Sequence, residues 1–89
     1  MEFVWLFNGE MGRFASAVFT ELILAEDWIK TNKLTGVLTK YPINSGVYDW
    51  AVKEGMFNVK KEEHTTSLFI GKFTTAGQEH YHYENGERD

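Results

Sequence analysis

The segment Gln78-Glu79-His80-Tyr81-His82-Tyr83-Glu84 interleaves two imidazoles with two phenols. In a strand, successive side chains point to opposite faces, so His80 and His82 share one face and Tyr81 and Tyr83 the other. Two imidazoles at i and i+2 project side by side, a geometry that Zn²⁺ or Cu²⁺ would take together with a third His or a carboxylate. His64, Asp49 and Glu54 are the outside donors for such a site, and Glu84 lies on the histidines' own face just beyond them. The phenols suggest a different chemistry. Tyr81 and Tyr83, with Tyr48 and Trp50 further back in the chain, are amphipathic rings of the kind that anchor protein interfaces. A third reading is an ordinary amphipathic strand, in which tyrosines packed inward leave the histidines on the surface; histidines packed inward would instead need partners for their ring nitrogens.

Other chemistries lack their residues. There is no cysteine, no Gly-x-Ser-x-Gly elbow, no phosphate loop and no dinucleotide fingerprint, so nucleophilic and nucleotide chemistry have no support. The one carboxylate pairing for glycoside hydrolysis would be Asp49 with Glu84, but Asp49 reads more simply as a first-turn acid favoured by a helix N-terminus. The expectation is a chain that is not an enzyme and carries no cofactor. A formal net charge of −4, with Lys60-Lys61 answered at once by Glu62-Glu63, disfavours a nucleic-acid surface.

These residues must be positioned by a small fold. Eighty-nine residues suit one domain, which buries only about 60–65% of the surface its unfolded chain exposes, so the core must be efficient. Seven Phe, four Tyr and three Trp within 43% apolar residues supply it. The opening Phe3 to Phe7 is too short for a membrane span and reads as a central strand, with Phe3, Trp5 and Phe7 on one face and Val4 and Leu6 on the other. Asn8 to Gly12 is turn chemistry, and Arg13 to Phe19 alternates as a second strand. Thr20 is a suitable cap for a helix to about Asn32, with Leu22, Ala25, Trp28 and Ile29 on its inner stripe. Gly36 to Tyr41 forms a third strand halted by Pro42, and Val47 to Glu54 a shorter helix ending at Gly55. Asn58 to Thr66 holds a single apolar residue and reads as an exposed excursion. Leu68 to Phe73 and Glu79 to Glu84 read as a closing hairpin around Thr75-Ala76-Gly77.

The order β-β-α-β-α-β-β predicts an α+β two-layer sandwich: a five-stranded, mainly antiparallel sheet with two helices on one face. The domain spans residues 1–84, with 85–89 fraying as a C-terminal tail.

Val4-Trp5-Leu6-Phe7, Ala25-Glu26-Asp27-Trp28-Ile29, Leu34 to Pro42, Val47-Tyr48-Asp49-Trp50-Ala51 and His80-Tyr81-His82-Tyr83-Glu84-Asn85-Gly86 together resemble a family of small uncharacterised bacterial proteins, a domain of unknown function. The resemblance covers nearly the whole chain. It implies a self-contained domain and transfers no activity.

The functional expectation is a cytoplasmic, non-catalytic protein-binding module of immunity or regulatory type. Its partner is another protein or a second copy captured at a sheet edge, with no nucleic acid and no membrane, and Tyr81, Tyr83, Tyr48 and Glu84 are the candidate contact residues. The alternative is a metal-binding protein or metal-dependent hydrolase built on His80 and His82.

Overall fold

The computed structural model describes residues 2–89. Five strands form one antiparallel sheet in the order β2-β1-β3-β4-β5: β1 (Phe3–Gly9), β2 (Ala17–Phe19), β3 (Gly36–Pro42), β4 (His80–Glu84) and β5 (Glu87–Arg88). The α+β class and the five-stranded antiparallel sheet expected from the sequence are observed, with three α-helices among the described residues where two were expected. Because β2 and β3 both run antiparallel to β1 on its two sides, they are parallel to each other, and helix α1 (Leu22–Thr31) carries the chain over from one to the other.

The alternating pattern of β1 decides where that helix packs. Trp5 and Phe7 point to the same side as Leu38 of β3 and Tyr83 of β4, and Ala25 and Ile29 of α1 close over them to form the buried core. Trp28 meets Phe7 edge-on at 5.6 Å and Phe19 at the same distance. The spacing of Leu22, Ala25, Trp28 and Ile29 is what the sequence required of an inward stripe. The helix starts one residue later than a Thr20 cap would set, with Glu21 in the cap position and no side-chain capping bond. The chain then leaves the helix with Lys33 at positive φ and enters β3 at Gly36. A Cβ at Gly36 would lie 2.3 Å from the Asn8 carbonyl oxygen, so β1 and β3 can approach there only because residue 36 has no side chain.

Three segments differ from the sequence expectation. The second strand is only Ala17–Phe19; Gly12 to Ser16 belong to the loop. Leu68 to Phe73, expected as a strand, is a helix, α3 (Ser67–Lys72), preceded by a short 3₁₀ turn over Glu62–Thr65. Thr66 explains the difference. Its hydroxyl accepts from the Phe69 amide at 3.2 Å, the N-cap bond that starts a helix, and Phe69 and Phe73, four residues apart, then fall on one helical face. That face packs into a satellite cluster with Phe57 and Tyr48, the latter on helix α2 (Val47–Lys53).

The third difference lies at the C-terminal end. Residues 85–89, expected to fray, carry β5. Asn85 and Gly86 both have positive φ (51° and 87°), as a two-residue hairpin turn matched to strand twist requires, and Glu84 and Tyr83 pair with Glu87 and Arg88. The turn is docked on the end of α1: the Gly86 amide donates to the Leu34 carbonyl at 2.8 Å, and the Asn85 amide to the Thr35 hydroxyl at 3.0 Å.

Candidate functional site

With α1 over one side of the sheet, the other side carries a continuous surface. Cross-strand register sets it out in rows. Val18, Leu6, Thr39 and His80 form one row across four strands, Asn8, Val37 and His82 the next, and Val4 with Tyr41 a third. Most of these side chains are half-buried, while Val18 and His82 are exposed. Alternation in β4 therefore resolves with the tyrosines inward and the histidines outward. Thr74 to Gln78 rise beside this face and, with Thr39, Tyr41 and His80, bound a groove of about 260 Å³.

Gln78 anchors that wall. It is the one polar residue of the buried set among the described residues. Its side chain accepts from the Thr75 amide at 3.1 Å and donates to the Lys40 carbonyl at 3.2 Å, so both ends of the amide are satisfied. Its own carbonyl lies 2.7 Å from His80 Nδ1. A carbonyl only accepts, so His80 donates from Nδ1, and Nε2 is left as the ring's acceptor. His82 stands beside it, with ring centroids 5.6 Å apart and planes at 79°.

The residues singled out as partner contacts are placed differently from one another. Tyr83 is buried at 4% exposure, and its hydroxyl donates to Glu26 Oε2 at 2.6 Å. Burial first, and the neighbouring Glu26 carboxylate second, push the Tyr83 phenol well above its ordinary value of 10.0. Tyr81 is half-buried, stacked on Trp5 at 5.8 Å, with the Arg88 guanidinium 3.9 Å over its ring and its hydroxyl bonded to Glu79, which raises its pKa. Tyr48 is half-buried in the Phe57–Phe69–Phe73 cluster. The tyrosines thus serve packing, whereas Glu84 is exposed and shares the open face with His80 and His82.

Asp49 lies in the first turn of α2. Among the described residues, no group of three or more His, Asp or Glu side chains converges as a metal cage, so His80 and His82 stand as a pair. His64 is committed elsewhere: its Nδ1 accepts from the Lys60 and Lys61 amides at 3.2 and 3.4 Å, and its ring lies 4.8 Å from Phe69. A second concavity, of about 190 Å³, opens on the helix side between Phe3 and Trp50. Its charges answer each other, with the Lys40 ammonium 3.7 Å from Glu79 and 4.7 Å over the Phe3 ring.

Sequence reasoning did not single out Arg88 or Gln78. Arg88 binds Glu26 through Nε at 2.9 Å, and the signal that would have revealed it was Asn85-Gly86, a strong two-residue hairpin turn. Among the described residues no helix is long and apolar enough to cross a membrane. No curated protein and no solved structure matches the chain. Residues 4–89 do match the family model DUF7710, a domain of unknown function, and the chain belongs to that family.

Proposed function

We propose that this chain is a non-catalytic protein-binding module, of immunity or regulatory type, that engages its partner through the open face of the sheet. The observation that carries this reading is the asymmetry of the sheet. One side is sealed by α1, and the other presents Val4, Leu6, Val18, Val37 and Tyr41 in register beside His80, His82 and Glu84. A mixed surface of apolar side chains with a polar margin is the composition of a recognition patch. The sheet edges offer less: β2 has three residues and β5 two, which leaves little free backbone for strand addition.

The test is site-specific photo-crosslinking in the native cell. A photoreactive side chain at Thr39 is expected to give a discrete protein adduct, and the same group at Asp27, on the exposed side of α1, none. The Thr39 adduct is expected to vanish when Val37→Asp is added while the circular dichroism of the domain is unchanged. Equal adducts at both positions, or none from Thr39, would rule the open face out.

A further inference from the structure

The open sheet face carries a second property, independent of any protein partner. The geometry points to His80 and His82 as a two-imidazole site for a divalent transition-metal ion of the Zn²⁺, Ni²⁺ and Cu²⁺ class, the ions that imidazole suits best.

Three observations support it. The first is distance. With a metal–nitrogen bond of about 2.1 Å and about 1.1 Å more to the ring centre, each imidazole centroid stands about 3.2 Å from a shared ion. Centroids 5.6 Å apart then correspond to a nitrogen–metal–nitrogen angle of about 120°, close to tetrahedral. The separation suits one shared ion once both rings turn a nitrogen toward it.

The second is orientation. Metal-bound histidines usually donate their other ring N–H to a carbonyl or carboxylate, which fixes the tautomer and the ring. His80 does this, with Nδ1 2.7 Å from the Gln78 carbonyl. Gln78 is itself held by its two side-chain bonds and is only 2% exposed, so the orienting group is rigid. With Nδ1 so engaged, Nε2 is the nitrogen left for a ligand, on a ring that lines the groove.

The third is field. Glu84 follows the histidines on the same face and pairs across the final hairpin with Glu87, and the chain as a whole has a net charge of −4. These carboxylates draw cations to the end of β4. The coordination positions that two histidines leave open face solvent.

Titration of the protein, purified without an affinity tag, with ZnCl₂ and with NiCl₂ tests the assignment by calorimetry and by NMR of the histidine ring signals. Saturable binding is expected, moving His80 and His82 together and leaving His64 in place. Each of His80→Gln and His82→Gln is expected to weaken the affinity by about tenfold or more, since removing one arm of a chelate leaves a single imidazole. His82 is exposed, so His82→Gln keeps the fold and the test. Absence of saturation at millimolar metal would overturn the assignment, as would affinity unchanged in the double variant, which would mark an adventitious ion only. The measurement needs no partner, so its failure leaves the crosslinking result standing.

Discussion

The hydroxyl of Tyr83 donates to Glu26 Oε2 across 2.6 Å, joining the last long strand to the first helix over a separation of 57 residues. Arg88 reaches the same oxygen from β5, so one carboxylate ties together α1, β4 and the C-terminal hairpin. Tyr83→Phe leaves the ring in the core but strips Glu26 of one donor. The loss is expected to be about 1–2 kcal/mol, as for a half-buried hydrogen bond to a charged group. A double-mutant cycle with Glu26→Gln should show coupling of about 1 kcal/mol in urea unfolding. Additive effects would mean that the bond contributes nothing to the folded state.

The same contact predicts how Tyr83 ionises. Burial and the Glu26 carboxylate both raise its pKa above 10.0. A raised pKa stabilises the fold below the unfolded value, and that contribution is lost as pH rises through the folded one. The absorbance difference between wild type and Tyr83→Phe should therefore show no tyrosinate step at pH 10.0. A step there would place the phenol in water.

Glu26 titrates in the opposite sense. Burial by itself would raise its pKa, but the hydrogen bonds from Tyr83 and Arg88 and the Arg88 charge outweigh it, and the carboxyl is held below its ordinary 4.5. A depressed carboxyl stabilises the fold above the unfolded value, and this is lost as pH falls through the folded one. The stability gap between wild type and Glu26→Gln should be constant from neutrality to about pH 4.5 and close below it. A gap that persists unchanged in acid would assign it to packing.

Much of this was legible in the sequence. Alternation in Phe3 to Phe7 and the stripe of Leu22, Ala25, Trp28 and Ile29 each match one period, and each placed its element. The same alternation sets His80 and His82 together on one face, but alternation alone does not say which face is covered. That depended on α1, whose packing selects Tyr83 through the distant Glu26. Leu68 to Phe73 failed for a physical reason. Leu68 and Ile70 are two apart and Phe69 and Phe73 four apart, so the six residues fit either period, and the Thr66 cap decides between them.

Gly86 is where the turn of the C-terminal hairpin packs against the end of α1. At φ 87° it occupies a region that L side chains rarely adopt, and a Cβ there would lie 3.1 Å from Lys33 Cα and 3.2 Å from the Lys30 carbonyl oxygen. Gly86→Ala is expected to cost about 2 kcal/mol from the backbone conformation and the crowding together. Hydrogen exchange should rise first at Asp89, whose amide donates to the His82 carbonyl at 2.9 Å. Protection unchanged across the hairpin would show that the turn shifts to accommodate the methyl group.

Thr66 offers the most local test of the segment that departs from expectation. Its hydroxyl accepts from the Phe69 amide and donates to the Glu63 carbonyl at 2.9 Å, so it ends the 3₁₀ turn and starts α3 in one residue. Thr66→Ala removes both bonds and should destabilise the segment by about 1 kcal/mol, whereas Thr66→Ser keeps them and should restore most of it. Because α3 holds Phe69 and Phe73 against Tyr48, loss of the cap should speed amide exchange from residue 62 to residue 73 and leave β1 and β3 protected. Equal acceleration in β1 would instead make the satellite cluster part of a single cooperative core. Exchange that Ser fails to restore would assign the effect to the methyl group of Thr66.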